Sequence, residues 1–270
     1  MIWQAAGGRC GYVPHMVLRV GVFGAGGKMG STVCAAVAAD PDLELVAAVD
    51  PHAVGEVVEG VTIAGTPKAM ADAGVQVAVD FTVLGAARTN VSWCGMHDVH
   101  AVVGTTGFSA ADLDVFRSEF SRSNCLVAPN FAIGAVLMMR FAELAAPYFE
   151  TAEIIELHHD AKADAPSGTA MATAARMAAA SGEWAPDPTR HEIVAGARGG
   201  LGPAGIRVHS VRLRGLVAHQ EVLLGTAGQT LTIRHDSYDR ASFMPGVLLA
   251  CKAIADHPGV TLGLDAFLNL

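Results

Sequence analysis

Between residues 18 and 130 the chain alternates short apolar runs with helical stretches, and that alternation leaves few folds open. Runs at Leu18–Phe23, Leu43–Val49, Val75–Val79, His100–Val103 and Cys125–Ala128 have the length of buried strands. Helical patterns lie between several of them, among them Met29–Ala39, Val83–Cys94 and Ala110–Phe120. Ser109 with Asp112 forms a capping-box pattern at the start of the last of these. Strands joined through helices pair in parallel by right-handed crossovers, so an α/β, doubly wound sheet is expected. An aromatic share of only 6% beside abundant Ala, Val and Gly suits strands buried on both faces.

After Asn130 the rhythm changes. A long apolar helix, Ile133–Phe149, leads to a strand at Ala152–His158 and an Ala-rich helix from Thr169 to Ala180. Loop-like stretches at Gly182–Arg190 and Gly196–Gly205 follow. Strands are then expected near Val208–Arg214, Glu221–Gly225 and Leu231–His235, with a helix around Phe243–Ala255. Strands without intervening helices predict a second, α+β domain with a mixed or antiparallel sheet. A length of 270 residues fits two domains of ordinary size.

Several classes drop out on composition. The net charge of −8 argues against nucleic-acid partners, since a backbone polyanion needs a basic face. No apolar stretch is long enough to span a membrane. Five scattered cysteines without CxxC spacing favour reduced thiols and a cytoplasmic protein, with Cys34 and Cys251 as small core hydrophobes. Residues 1–16 carry none of the marks of a signal peptide and read as an upstream start or a disordered extension. The sequon Asn90-Val91-Ser92 falls within a helical stretch and reads as a chance match.

The first strand runs into Gly24-Ala25-Gly26-Gly27-Lys28-Met29-Gly30, a variant of the dinucleotide fingerprint that opens a helix. Small residues let the backbone turn tightly against a pyrophosphate, whose charge the free amides of the helix start then neutralise. A plain strand-to-helix turn uses the same glycines, but here Asp50 ends the next strand, where an acid can bind an adenosine ribose diol. A Rossmann site for NADH or NADPH is therefore expected. Asp50 repels a ribose phosphate and Lys28 attracts one, so dual use is expected. Further strand ends place Asp80-Phe81-Thr82, Gly104-Thr105-Thr106-Gly107-Phe108 and Ala128-Pro129-Asn130-Phe131 at the carboxyl edge of the sheet, where ligands of such sheets bind. Ordinary turn chemistry explains each of these singly.

The second concentration of chemistry is the segment from Glu156 to Thr169. His158 and His159 end a strand, Lys162 follows, and Pro166-Ser167-Gly168-Thr169 starts a helix that Ser167 or Thr169 can cap. The free amides of that first turn make an anion cradle beside cationic, proton-donating side chains. Reduction of an anionic imine or enamine ring needs such a set: charge neutralisation, orientation and a proton to balance a hydride. A histidine pair at a strand end also serves plain structural bonding. A metal site is disfavoured, because adjacent strand residues face opposite ways and Lys162 opposes a cation. Ser167 lacks a nucleophile elbow.

These residues resemble the dihydrodipicolinate (4-hydroxy-tetrahydrodipicolinate) reductase family in its actinobacterial form, over essentially Leu18 to Leu270. The resemblance rests on Gly24 to Gly30, Gly104-Thr105-Thr106-Gly107, Pro129-Asn130-Phe131, Glu156-Leu157-His158-His159, Lys162 and Asp164 to Thr169. It implies hydride transfer from a nicotinamide cofactor to a small anionic cyclic dicarboxylate, giving tetrahydrodipicolinate in lysine and diaminopimelate synthesis. It implies His158 as the principal acid/base, Lys162 as proton donor, and His159, Ser167, Gly168 and Thr169 as substrate-binding residues. The cofactor would be held by Gly24, Ala25, Gly26, Gly27, Lys28, Met29, Asp50, Gly104, Thr105, Thr106, Ala128, Pro129, Asn130 and Phe131. A homotetramer built through the second sheet is also implied, as is a discontinuous cofactor domain, 17–130 with 241–270, around a substrate and oligomerisation domain, 131–240, hinged near Asn130 and Arg240. Two positions depart from many relatives. Asp160-Ala161 stands where another basic residue is usual, which bears on the charge around His158. Pro51-His52 follows Asp50 where some relatives carry an NADP-binding arginine, which tilts the expectation toward NADH. The alternatives are a dehydrogenase of another amino-acid-derived carboxylate, or a nucleotide sensor without catalysis.

Overall fold

The computed structural model describes residues 17–270, so the expected N-terminal extension and Cys10 lie outside the described residues. The first half folds as β1 (Leu18–Phe23), α1 (Lys28–Ala39), β2 (Leu43–Val49), β3 (Val57–Val58), β4 (Val61–Ala64), α2 (Lys68–Asp72), β5 (Val77–Asp80), α3 (Leu84–Met96), β6 (His100–Val103), α4 (Ala110–Glu119) and β7 (Cys125–Val127). The second half contains α5 (Ile133–Ala145), β8 (Thr151–His158), α6 (Gly168–Ala180), β9 (Gly200–Leu201), β10 (Arg207–Arg212), β11 (Ala218–Thr226), β12 (Gln229–Ser237), α7 (Met244–Ala253) and β13 (Val260–Leu262). Ser109 caps α4 through a reciprocal capping box with Asp112.

Two sheets organise these elements. The larger runs β13-β7-β6-β5-β1-β2-β4-β3 and is parallel except for the β3–β4 hairpin. Strand order reverses at β1, which lies between β2 and β5. The loops after β1 and β5 therefore border the crevice where such sheets bind ligands. Its interior is dry: Val20, Val77, Val79 and Val102 are fully buried, and Cys34 and Cys251 pack within the same core. The smaller sheet runs β12-β11-β8-β10-β9 and is mixed. β8 and β10 pair in parallel, with α6 between them in the chain, while β11 joins β8 antiparallel.

Differences from the expectations have local causes. The apolar helix expected to reach Phe149 stops at Ala145 and continues as a 3-10 turn, Ala146–Tyr148, because Pro147 cannot donate the next helical bond. β5 runs from Val77 to Asp80, displaced toward the ligand edge from the expected Val75–Val79. The short strands β3, β4 and β9 are too brief to register as periodic patterns. β13, also unexpected, returns from the end of the chain to pair with β7.

α7 reaches the larger sheet's ligand edge because Gly246 lets it lie against the chain at Phe131. A Cβ on Gly246 would stand 2.1 Å from the Phe131 carbonyl oxygen, a backbone atom that cannot swing aside. Gly246→Ala is accordingly expected to cost about 1–3 kcal/mol through overpacking. Thermal unfolding should then fall by about 5 °C, and an unchanged midpoint would contradict this packing.

Candidate active site

The site starts from strand alternation. On β8, Ile154 and Glu156 point toward the helical layer of the second half and are fully buried, and His158 follows on the same face. A buried carboxylate must have its charge answered, and Glu156 accepts hydrogen bonds from several sides. Arg212 donates twice, at 2.9 and 2.8 Å, from β10, where the parallel register sets it opposite His158. His158 Nδ1 lies 2.5 Å from Oε2, and the Ser167 amide donates to Oε1 at 3.2 Å. Arg212 also donates to the Asp164 carbonyl at 2.7 Å, which fixes the loop between β8 and α6.

These contacts decide protonation. Burial alone would raise the Glu156 carboxyl, but hydrogen bonds from Arg212, then Ser210 and His158, hold it below the usual carboxylate range. An ionised Glu156 accepts, so His158 carries its ring proton on Nδ1 and keeps Nε2 as an acceptor. Burial lowers the His158 pKa from its ordinary value. The hydrogen bond and charge of Glu156 oppose that, and the cations Lys162 and Arg212 add to it. At neutral pH His158 is a neutral imidazole of fixed tautomer.

Lys162 donates to both oxygens of Asp164, at 2.7 and 2.8 Å. Asp160, whose effect on His158 the sequence leaves open, instead pairs with the exposed Arg214 at 2.8 Å. The negative charge that tunes His158 is thus Glu156. At the start of α6 the Ser167 hydroxyl accepts from the Ala170 amide at 3.2 Å. The amides of Gly168 and Thr169 have no partner among the described residues, as an anion cradle at this helix start requires.

His158, Lys162, Ser167, Gly168 and Thr169 line one cavity of about 500 Å³. Thr106, Pro129 and Asn130 border it from the larger sheet, and the pair Arg176–Asp265, 2.6 Å apart, closes one side. Asn130 spans the two halves, accepting from the Ala132 amide and donating to the Thr169 hydroxyl at 3.4 Å. His159 is exposed at the end of β8 and does not line this cavity.

The remaining cofactor candidates surround the end of β1. Gly24 has φ +71°, and its carbonyl accepts from the Gly27 amide at 2.9 Å. A Cβ on Gly30 would come within 2.0 Å of that carbonyl. The turn is therefore closed to larger residues at Gly30, and α1 begins at Lys28 without a side-chain cap. The amides of Lys28, Met29 and Gly30 are unpaired among the described residues. Ala25 is buried, while Gly26, Gly27 and Lys28 are exposed. Asp50 accepts from the Gly26 and His52 amides, at 3.1 and 2.9 Å, and so braces the glycine loop. Buried Asp80 braces the neighbouring loops, accepting from Thr82, Thr105 and Asn90. Thr105 is buried in that network, and Gly104 lies against the Phe81 ring. Ala128 and Phe131 are buried beneath the edge, with Phe131 packed on Phe81 at 5.5 Å. Side chains of Thr105, Ala128 and Phe131 therefore shape the site from below. An uncapped helix start behind a closed glycine turn fits a dinucleotide pyrophosphate.

The chain matches two family profiles in series, "Dihydrodipicolinate reductase, N-terminus" over residues 18–131 and "Dihydrodipicolinate reductase, C-terminus" over residues 134–268. The chain belongs to the dihydrodipicolinate reductase family. It is 55% identical to a 4-hydroxy-tetrahydrodipicolinate reductase of Nocardia farcinica, covering 94% of this chain and 100% of that one. The same enzyme of Streptomyces coelicolor is 49% identical, over 94% and 98% of the two chains. Among solved structures, the dipicolinate-bound dihydrodipicolinate reductase of Paenisporosarcina sp. TG-14 superposes with a TM-score of 0.83 at 38% identity, covering 93% and 99%. The family's members are NAD(P)H-dependent oxidoreductases of lysine biosynthesis, as the resemblance implies.

The sequence alone assigns no role to Glu156 and does not mark Arg212. The glutamate was visible as a charged residue inside an apolar strand, a signal that a buried partner exists. Replacing the carboxylate in Glu156→Gln removes the one charge that favours imidazolium at His158. The His158 midpoint, followed by NMR of the ring nitrogens, should therefore move further down. A midpoint that stays or rises would contradict the assignment of Glu156 as its partner.

Proposed function

We propose that this reductase reduces 4-hydroxy-tetrahydrodipicolinate (dihydrodipicolinate) to tetrahydrodipicolinate, using the residues gathered around the 500 Å³ cavity. The observation that carries the reading is the juxtaposition of unpaired helix amides with a fixed imidazole and a lysine. Bound carboxylates are held by the amides of Gly168 and Thr169, with the Ser167 cap keeping that first turn in place. Lys162 leaves Asp164 for the dianion and supplies the proton. His158, with its tautomer set by Glu156, is the acid/base at Nε2. His159, exposed at the strand's end, reaches a carboxylate when the cleft closes about Asn130 and Arg240. The hydroxylated ring loses its 4-hydroxyl as water to reach the dihydro level, and the dihydro and tetrahydro compounds differ by two hydrogens, so one hydride and one proton in, with one water out, balance the reaction.

Bound at Gly24 to Met29, Asp50, Gly104 to Thr106 and Ala128 to Phe131, the dihydronicotinamide supplies that hydride. Both cofactors serve, with a tilt toward NADH. Asp50, followed by Pro51 and His52, repels a ribose phosphate, while the exposed Lys28 at the start of α1 attracts one. The cofactor domain comprises residues 17–130 and 241–270, supported by β13 beside β7, and residues 131–240 bind substrate. A homotetramer forms through the smaller sheet. Ile155, Leu157 and Leu223 alternate with the buried residues of β8 and β11 and remain partly exposed on its other face. A cytoplasmic location suits a reductase drawing on the nicotinamide pool, and no helix among the described residues is long and apolar enough to cross a membrane.

The deciding assay supplies the freshly made cyclic condensation product of pyruvate and aspartate semialdehyde, with consumption of NADH as expected. No turnover with either nicotinamide cofactor by the folded protein would refute the reading. His158→Gln and Lys162→Ala should each lower kcat about a hundredfold while cofactor binding persists; unchanged turnover would overturn their roles. Lys28→Ala should raise KM for NADPH about fivefold, as expected for losing about 1 kcal/mol of charge attraction. KM for NADH should barely move, and equal effects on both cofactors would contradict the role given to Lys28.

A further inference from the structure

Behind the cradle lies a second, much smaller cavity of about 40 Å³, bordered by His158, Ser167, Thr169, Gln220 and His235. These polar side chains stand in its wall beside Ala132, Ala135, Met138 and Phe243. Gln220 sits on β11 opposite Glu156 of β8 and opposite His235 of β12, and it is almost wholly buried. The amide's orientation follows from its neighbours. The Thr173 hydroxyl spends its single proton on the Thr169 carbonyl, at 2.8 Å, so it can only accept from Gln220. Gln220 Nε2 donates to it at 2.8 Å. Gln220 Oε1 must then face away from Thr173, and it is a buried acceptor with no partner among the described residues.

A buried carbonyl of this kind costs about 1–3 kcal/mol when unanswered. The adjoining space is large enough for a water, which needs roughly 10–15 Å³ by this measure together with two or more polar partners. Room is made on the opposite side by Gly134 of α5. A Cβ there would stand 2.5 Å from the His235 ring, so only glycine leaves that ring in place as a wall. His158 borders both this cavity and the substrate cleft, and its Nδ1 is committed to Glu156. Nε2 is therefore the ring atom left to meet a water.

We propose that Gln220 is a positioning residue for the reduction, holding the anion cradle directly through Thr173 and His158 through a water seated in this cavity. The water donates one hydrogen to Gln220 Oε1 and the other to His158 Nε2, and gives up that nitrogen when the substrate binds. Until then the imidazole is fixed from both sides, by Glu156 at one nitrogen and by the water at the other. Through the Thr173 hydroxyl the same glutamine ties the first turn of α6, whose Gly168 and Thr169 amides face the substrate cleft, to β11. The inference rests on the roles proposed above for His158 and the cradle.

A high-resolution crystal structure of the ligand-free protein tests the water. Density should place it within about 3.2 Å of both Gln220 Oε1 and His158 Nε2, and an empty cavity would overturn that half. Titration with dipicolinate, a planar dicarboxylate, tests the cradle. Gln220→Met, which keeps the volume and loses both hydrogen bonds, should weaken dipicolinate binding about tenfold, as expected for roughly 1.4 kcal/mol. NADH affinity should stay within about twofold. Thr173→Val should weaken dipicolinate binding similarly, and Thr173→Ser should restore it. A purely structural role would lower the melting temperature of these variants and leave dipicolinate affinity at 25 °C unchanged, which would overturn the proposal. If Gln220→Met does not fold, the Thr173 pair decides alone. Failure of the unsubstituted protein to bind dipicolinate would refute the site reading itself, a result distinct from equal binding by all variants.

Discussion

The second half of this chain depends on one buried carboxylate. Glu156 has no exposure to solvent and accepts from Arg212, His158 and the Ser167 amide. Removing either partner of a buried pair strands a charge and typically costs about 3–5 kcal/mol, whereas replacing both with well-packed apolar groups is often neutral. Stability alone therefore gives little reason to keep such a pair. Its effect is geometric: a single carboxylate sets the tautomer of the histidine, the start of the cradle helix and, through Arg212, the loop that carries Lys162.

The cofactor half repeats the same device in milder form. Asp80 and Asp50 turn their oxygens onto loop amides and hydroxyls, so the loops after β1, β5 and β6 are held before any ligand arrives. Preorganisation of this kind lowers the ordering cost of binding. The cleft's cations are also answered by acids, Lys162 by Asp164 and Arg176 by Asp265. Asp164 is largely exposed, so a dicarboxylate can take its place at Lys162 with little loss.

What was legible in the sequence is what is local. The glycine turn, the Ser109–Asp112 box and the cap at Ser167 each follow from residues within one turn of chain. The strand runs of the larger sheet were legible because burial on both faces makes them continuous. The partners of Glu156 were not, because Arg212 meets it only through the parallel register of β8 and β10, across α6 and a long loop. Gln220 and Thr173 are hidden for the same reason, and β13 because a three-residue strand carries no period of its own. The place of Asp160 is likewise not settled by its nearness in sequence. On an extended chain adjacent side chains diverge, and its carboxylate turns to Arg214 at the surface.

A double-substitution cycle on Glu156 and Arg212 tests the central claim most directly, reading stability and turnover on the same four proteins. Arg212→Met alone should destabilise the fold by about 3 kcal/mol or more, and adding Glu156→Gln should recover much of that loss. Turnover should remain low in the double variant, because no carboxylate is left to orient His158. Recovery of turnover together with stability would contradict the account, since the pair would then be holding the fold and not arranging the chemistry.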